Sequence, residues 1–163
     1  MERMRIMGNR EYRLGMYEKS MPKELSWQEK LRICKESGFD WLEISIDETD
    51  EKLARLDWSQ KERNELKAAI LQTGVPIHTM CLSGHRKYPL GDLDPWIEKR
   101  SLEIMEKAID LAQDIGVHII QLAGYDVYYK EGNEDTKERF KSNLIKATIM
   151  AAKAGILLGF ETM

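Results

Sequence analysis

The sequence lacks the features that mark disulfide-stabilised, membrane-spanning or nucleic-acid-binding proteins. Of its 163 residues only two are cysteines, Cys34 and Cys81, without a C-x-x-C spacing, which favours reduced thiols that serve as small core residues. No apolar run approaches the roughly 20 residues that cross a bilayer. The formal net charge is −3, so no basic excess points to nucleic acid or anionic lipid. Residues 1–13 lack the apolar segment of a secretory signal, and we therefore expect a cytoplasmic protein.

Strand-like and helix-like segments alternate along the chain. Capping-box patterns, Ser26 with Glu29 and Ser59 with Glu62, precede two of the helical segments, and a glycine follows each helix. Because parallel strands need crossover connections, this alternation predicts an α/β fold with a parallel sheet. The predicted strands are 12–17, 40–46, 75–83, 117–123 and 156–161, and the predicted helices are 26–37, 59–73, 94–115 and 133–154.

Two architectures fit four βα units followed by a fifth strand. One is an open doubly wound sheet, and the other is part of a (β/α)8 barrel, which takes about 250 residues. A dinucleotide-binding sheet carries G-x-G-x-x-G after its first strand, whereas this chain has Y-E-K-S-M-P there. Periodicity alone leaves both architectures open. No segment has the composition of a linker, so we expect one domain over residues 1–163.

Polar side chains follow the predicted strands at their carboxyl ends, where parallel α/β folds bind ligands. This mixed edge suits a small, hydroxyl-rich anionic ligand. The residues are Tyr17, Glu18 and Lys19 in the first strand region, Glu43, Ser45 and Asp47 in the second, Ser83, Gly84, His85, Arg86 and Lys87 in the third, Gln121, Gly124, Tyr125, Asp126, Tyr128 and Tyr129 in the fourth, and Glu161 in the fifth.

The segment C-L-S-G-H-R-K-Y-P-L-G is the strongest candidate for an anion site at this edge. It combines backbone donors near Gly84 with an imidazole and two cations, His85, Arg86 and Lys87, which would hold a phosphate or an enolate. The alternative is a solvated basic loop that leads into the next helix.

Two glutamates lie inside otherwise apolar strands. A carboxylate in such a place costs free energy unless it is paired or bound to a cation, so one interpretation of Glu43 and Glu161 is a metal-binding or catalytic role. The alternatives are an ion pair with a neighbouring Lys or Arg for Glu43, and an exposed chain end for Glu161. His78 and His118 come early in their strands, and we interpret both as structural.

Three segments resemble the L-ribulose-5-phosphate 3-epimerase family, also called the L-xylulose-5-phosphate 3-epimerase family, relatives of which have been called hexulose-6-phosphate isomerases. They are D-W-L-E-I-S-I-D-E-T-D-E-K-L-A-R-L-D-W, M-C-L-S-G-H-R-K-Y-P-L-G and I-I-Q-L-A-G-Y-D-V-Y-Y, and the resemblance runs from about Tyr12 to the end of the chain. It implies the N-terminal half of a xylose-isomerase-like (β/α)8 barrel: four βα units plus a fifth strand.

The resemblance also implies a reaction and a cofactor. Members of the family invert C3 of a ketopentose phosphate in ascorbate and related sugar-acid catabolism, with a divalent metal (Mn, Mg, Zn or Co) held by two glutamates, an aspartate and a histidine. Glu161, in G-F-E-T-M, matches the first glutamate and is the implied metal ligand and catalytic carboxylate. The other ligands come from later strands. The candidate substrate-binding residues are Glu43, Ser45, Ser83, His85, Arg86, Lys87 and Tyr125.

From these implications we expect a small-molecule sugar phosphate as the partner, with no nucleic acid and no membrane. A half-barrel would leave its first and fifth strands as open edges, so we expect a homo-oligomer. We expect the chain alone to be inactive, because a single carboxylate cannot make both proton transfers. The alternatives are a non-catalytic sugar-phosphate-binding half-barrel, a hexulose-6-phosphate isomerase-type activity, or a complete small enzyme of the open-sheet type.

Overall fold

The computed structural model describes residues 11–162. Residues 1–10, which carry most of the segment used to exclude a secretory signal, and Met163 of G-F-E-T-M lie outside the described residues. The strands are β1 (Gly15–Tyr17), β2 (Trp41–Ile46), β3 (Ile77–Leu82), β4 (Ile119–Ala123) and β5 (Leu157–Glu161). The helices are α1 (Trp27–Glu36), α2 (Asp50–Leu53), α3 (Gln60–Thr73), α4 (Pro95–Ile115) and α5 (Glu134–Lys153).

The five strands form one parallel sheet in the order β1-β2-β3-β4-β5. The predicted α/β fold with a parallel sheet is therefore confirmed. The strand order also separates the two architectures that the sequence left open. A doubly wound sheet reverses its strand order at a switch point, whereas a barrel adds each strand beside the previous one. This open sheet has the order of a half-barrel.

Local sequence signals fix where the helices begin and end. Both predicted capping boxes are present: the backbone N–H of Ser26 donates to Glu29 at 2.8 Å, and that of Ser59 donates to Glu62 at 2.8 Å. Gly74 ends α3 with φ +70°, a left-handed conformation that glycine adopts without strain. These signals set the lengths of the connections and so bring the carboxyl ends of the strands to one edge.

Four short elements were not predicted. They are α2, which Thr49 caps, and 3-10 turns at Glu18–Ser20, Ala54–Asp57 and Gly84–Arg86. Elements of three or four residues are too short to show helical periodicity. They follow β1, β2 and β3, and they determine where the side chains after those strands lie.

The two faces of the sheet differ in polarity because side chains alternate along each strand. One face, called the apolar face below, packs against the helices and includes Leu42, Ile44, Met80 and Ile120, each at or near 0% exposure. Each such side chain stabilises the fold by about 1.5–3 kcal/mol. The opposite face, called the polar face, carries hydroxyl, thiol, amide and carboxylate groups towards the carboxyl ends of the strands.

The amino end of the sheet carries a ring cluster rather than reactive groups. The ring of His78 lies 5.6 Å from that of Trp41 and 5.1 Å from that of His118, between ring centroids. This agrees with the structural interpretation of both histidines. In residues 11–162 no helix combines the length and the apolar character needed to cross a membrane.

Candidate active site

The polar face gathers side chains from all five strands at the carboxyl edge. The register pairs Tyr17 with Glu43, Ser45 with Cys81, and Cys81 with Gln121, so these side chains lie next to one another on the same side of the sheet. Glu161 pairs with Ala123 at the end of β5. The arrangement offers a row of polar groups of the kind that a hydroxyl-rich ligand contacts.

Hydrogen bonds fix the part of the polar face that β1, β2 and β3 form. The Thr79 hydroxyl donates to Glu43 at 2.7 Å, and the Tyr17 and Ser45 hydroxyls lie 3.2 Å apart. Burial raises the pKa of Tyr17, so its hydroxyl stays protonated. Among residues 11–162 Glu43 forms no ion pair with a Lys or Arg, which was the alternative considered for it.

The two cysteines occupy different environments. Cys34 is fully buried on α1 and its thiol donates to the Trp41 carbonyl at 3.3 Å, as expected for a core residue. Cys81 is only partly buried and lies on the polar face, so its interpretation as a core residue is wrong. Burial raises the pKa of the Cys81 thiol, which is therefore neutral. The alternation Thr79-x-Cys81 was the sequence signal for this placement.

Glu161 is exposed at the end of β5, and only one of its two carboxylate oxygens has a hydrogen-bond partner among the described residues. Its Oε2 accepts a hydrogen bond from the Gln121 side-chain amide, and among the described residues its other carboxylate oxygen has no hydrogen-bond partner. The Gly124 backbone N–H donates to the Glu161 carbonyl at 2.8 Å. A Cβ at Gly124 would lie 2.8 Å from that oxygen, so glycine is needed where the loop after β4 passes the end of β5.

Glu161 suits a divalent cation as one ligand, because carboxylate oxygen is a common ligand of hard divalent metals. In the part of the chain that the structure describes, no group of three or more His, Cys, Asp or Glu side chains is arranged to hold a metal ion. The described residues therefore supply one candidate ligand and not a complete site.

His85 does not lie on the polar face, contrary to its expected role in substrate binding. It is buried, and its Nε2 lies 3.1 Å from the Ser101 carbonyl of α4. Burial lowers the pKa of His85 to about 4, so the imidazole is neutral near pH 7. The 3-10 turn at Gly84–Arg86 accounts for the difference, because it carries the ring into the layer between sheet and helices.

Ser83 and Lys87 flank this turn and make different contacts. The Lys87 ammonium forms an exposed ion pair with Asp50 at 3.0 Å. Ser83 is buried, and its backbone N–H donates to the Ile46 carbonyl at 2.9 Å, which extends the pairing of β2 with β3.

Arg86 and Tyr125, by contrast, come together where the segments after β3 and β4 meet at the carboxyl edge of the sheet. The Arg86 guanidinium lies 5.0 Å from the Tyr128 ring centroid and beside the Tyr125 hydroxyl. Burial raises the pKa of Tyr125 to about 12, so this hydroxyl is a donor. The Arg86 guanidinium lies close enough to the Tyr125 hydroxyl to lower its pKa against the larger effect of burial, but in geometry neither the Tyr125 hydroxyl nor Arg86 Nε has a hydrogen-bond partner among residues 11–162. Two neighbouring buried donors of this kind fit an anionic acceptor.

Two carboxylates expected at this edge form ion pairs with Lys or Arg side chains. Glu18 is buried in contact with Lys30, Lys52 and Arg55. Asp47 lies 2.5 Å from the Lys19 ammonium and also accepts hydrogen bonds from Thr49. The alternation of β2 ends at Ile46, so Asp47 does not continue the row of Glu43 and Ser45.

Comparison with known proteins identifies relatives of this chain. The family model described as xylose isomerase-like TIM barrel matches residues 31–163. The chain is 51% identical over 150 residues to L-ribulose-5-phosphate 3-epimerase UlaE of Escherichia coli (strain SE11) and, equally, to that of Shigella sonnei (strain Ss046). In both cases the match covers 92% of this chain and 53% of the relative, so the chain spans about half the length of the curated relatives it matches. The predicted resemblance is confirmed.

Solved structures share the fold at lower identity. D-psicose 3-epimerase from Clostridium cellulolyticum H10, solved with D-tagatose, aligns with a TM-score of 0.71 at 19% identity, over 90% of this chain and 51% of that chain. An L-ribulose 3-epimerase aligns with a TM-score of 0.68 at 20% identity, over 91% of this chain and 48% of that one. These likenesses support the half-barrel assigned from the strand order.

Proposed function

This chain belongs to the xylose isomerase-like TIM barrel family, and from that premise we propose that it forms the N-terminal half of a sugar-phosphate 3-epimerase. The reaction is the interconversion of L-xylulose 5-phosphate and L-ribulose 5-phosphate. The observation that carries the proposal is the 51% identity to curated L-ribulose-5-phosphate 3-epimerases over 92% of the chain. In this proposal residues 1–163 act as one domain, made of four βα units and a fifth strand.

Glu161 is the proposed proton-transfer group. The C3 hydrogen of the substrate is acidic because C2 is a ketone, and a carboxylate beside it can remove or return the proton. Gln121 orients the Glu161 carboxylate through one oxygen and leaves the other for the substrate. Inversion needs the proton to leave one face of C3 and return on the opposite face. A second acid–base group must therefore face Glu161 across the substrate.

We also propose Glu161 as one ligand of a divalent metal, Mn, Mg, Zn or Co. When bound, such a cation stabilises the negative charge of the enediolate that forms after C3 loses its proton. Since Glu161 is a single ligand, we expect this chain by itself to bind the metal weakly and to be inactive. We expect the polar face to keep its contacts with the sugar in this chain, because hydrogen bonds within the chain hold its side chains in place.

The remaining contacts of the proposed substrate follow from the placement of the side chains. Arg86 and Tyr125, the buried donors without partners, hold the phosphate. Glu43 and Ser45 on the polar face contact hydroxyl groups, and Ser83 supports the strand end beside them. His85 and Lys87 are left out of the site, because the structure pairs them with α4 and Asp50.

The proposed setting is the cytoplasm, in ascorbate and related sugar-acid catabolism, and both cysteines are free thiols in keeping with it.

We further propose a homo-oligomer. Leu157 and Phe160 on β5 are 66% and 48% exposed, and Ile145 and Ile149 on α5 are also exposed, so several apolar side chains face solvent near this edge. Size-exclusion chromatography should show self-association at micromolar concentration, and a monomer would contradict the oligomer.

An activity measurement tests the proposed reaction. The chain is joined to the C-terminal half of a curated L-ribulose-5-phosphate 3-epimerase, giving what we call the joined protein, and is incubated with L-xylulose 5-phosphate and Mn²⁺. We expect L-ribulose 5-phosphate to appear by NMR with the joined protein, and heat of binding without turnover with the chain alone. A folded joined protein that leaves the substrate unchanged would refute the activity.

A further inference from the structure

Besides the polar face, a polar cavity lies on the helix side of the sheet. This cleft has a volume of about 350 Å³ and opens between the loop after β1 and the loop after β2. Ser45 marks its separation from the polar face: the Ser45 hydroxyl contacts Tyr17 on the polar face, while the Ser45 backbone N–H donates to Glu18 in the cleft wall at 3.0 Å. The cleft is therefore distinct from the proposed catalytic site.

Glu18 forms the back of the cleft and has no acceptor capacity left. It is 2% exposed. Besides Ser45, its carboxylate accepts two hydrogen bonds from Arg55 at 2.7 and 2.8 Å, one from Lys52 at 2.5 Å and one from Lys30 at 3.1 Å. Burial alone would raise the pKa of Glu18, but these hydrogen bonds and positive charges lower it to about 2. Glu18 is thus ionised and saturated.

The cations around Glu18 outnumber it. Lys30, Lys52 and Arg55 are buried at 3%, 8% and 7% exposure, so this buried layer carries three positive charges against one negative charge. Each lysine ammonium has three N–H groups, and in the described part of the chain each makes one hydrogen bond, to Glu18. Lys30 also lies 5.1 Å from the Trp27 ring centroid.

The other carboxylates of the cleft do not balance this charge. Asp47 is already paired with Lys19 at 2.5 Å. Glu51 is exposed at the mouth, as is Lys23, so these two side chains offset each other in solvent. Buried charge in excess of its partners costs free energy unless a further ion compensates it. The unfilled ammonium donors of Lys30 and Lys52 line the space where such an ion would lie.

We propose that this cleft binds a phosphate-class oxyanion, as free phosphate or as the phosphate group of a small metabolite. A tetrahedral oxyanion accepts several charge-assisted hydrogen bonds at once, so it can satisfy Lys30 and Lys52 together. It also neutralises the excess positive charge, which water cannot do. Lys23 at the mouth adds a cation on the side from which the ion enters.

Calorimetric titration of the purified chain with inorganic phosphate, at an ionic strength held constant with chloride, tests the proposal. We expect saturable binding that persists in Arg86→Gln, since Arg86 belongs to the separate rim of the proposed catalytic site. In the Arg86→Gln background, which removes the separate rim site, Lys52→Gln should weaken the binding about tenfold or more, because it removes a charge-assisted hydrogen bond in a buried place. Lys61→Gln on α3, where the side chain is 86% exposed, is the matched control and should change nothing.

The outcomes separate this proposal from the proposed function. Phosphate binding that is lost in Arg86→Gln and unchanged in Lys52→Gln would overturn the cleft and leave the epimerase proposal standing. Should Lys52→Gln not fold, Lys23→Glu at the exposed mouth should weaken binding about two- to fivefold, and unchanged affinity would overturn the proposal. Competition by glycerol 3-phosphate would identify a metabolite phosphate as the source, and its failure to compete would identify free phosphate; both agree with an oxyanion site.

Discussion

Two glutamates, Glu18 at the end of β1 and Glu161 at the end of β5, occupy similar places in the sheet and opposite electrostatic environments. Glu18 is 2% exposed and accepts five hydrogen bonds, four of them from cationic side chains. Glu161 is exposed and accepts one, from Gln121. A carboxylate whose lone pairs are all occupied can stabilise the fold but cannot accept a proton from a substrate. The comparison gives Glu18 a structural role and supports the catalytic role proposed for Glu161.

The difference arises from the segments that follow neighbouring strands. Lys52 and Arg55 come from α2 and the 3-10 turn after β2, and both reach back over the end of β1. Gln121 reaches Glu161 from within β4, along the polar face. Glu18 is therefore enclosed from the helix side, and Glu161 stays open on the side where the proposed substrate would bind.

Replacing Glu18 should have the largest effect on stability. Glu18→Gln keeps the shape of the side chain but leaves three buried cations without an anion, which should lower the free energy of unfolding by about 3–5 kcal/mol. Urea denaturation measures this loss. Glu161→Gln is the matched control and should stay within about 0.5 kcal/mol of the unmodified chain. Equal stability of the two variants would contradict the claim that Glu18 stabilises the fold and Glu161 does not.

The pH dependence of stability extends the comparison to His85, the buried residue after β3. Its pKa falls from 6.5 to about 4 on folding, so the unfolded chain binds the proton more readily. The contribution of neutral His85 is complete above pH 6.5 and is lost as pH falls towards 4, about 3 kcal/mol in all. His85→Gln should flatten this part of the stability curve, whereas exposed His118→Gln should not. An unchanged slope in His85→Gln would show that its imidazole is not held neutral.

Gln121 offers a smaller test of how Glu161 is positioned. Gln121→Met removes the amide that donates to the Glu161 carboxylate and should lower turnover of the joined protein about tenfold, without a change in stability. The KM should change little, since Gln121 acts through Glu161. Gln113→Met serves as the control, because that amide contacts the Ala154 carbonyl at the surface. Full turnover in Gln121→Met would mean that Glu161 needs no positioning.

The smallest expected effect concerns Glu43, the glutamate within β2. Thr79→Val removes the hydroxyl that donates to Glu43 at 2.7 Å and should cost about 1 kcal/mol of unfolding free energy. Thr148→Val, in which the lost hydroxyl is on an exposed face of α5, should cost less. A larger loss in Thr148→Val than in Thr79→Val would argue against a fixed Glu43.

The sequence predicted the features that local signals determine. Ser26 with Glu29 and Ser59 with Glu62 marked helix starts, and alternation along β2 and β3 separated the two faces. Strand order was not predictable from periodicity, since both architectures share the same succession of strands and helices. The observed order β1-β2-β3-β4-β5 depends on how each crossover packs, which is a tertiary property.

The candidate site was predicted less completely, because loops and short turns decide it. Arg86 and Tyr125 come together as a pair of buried donors, but the 3-10 turn between β3 and α4 sends His85 and Lys87 elsewhere. The Glu18 cluster joins residues 12 to 37 positions apart, a distance over which no sequence pattern indicates contact.

Exchange of the C3 hydrogen of L-xylulose 5-phosphate with solvent deuterium, followed by NMR in the joined protein, tests the central role given to Glu161 most directly. With exchange also measured from L-ribulose 5-phosphate, Glu161→Gln should slow it about 10²–10⁴-fold for at least one of the two epimers, because the amide cannot take the proton, while Glu43→Gln should slow it far less. Exchange in a folded Glu161→Gln variant at the rate of the unmodified protein would contradict the account.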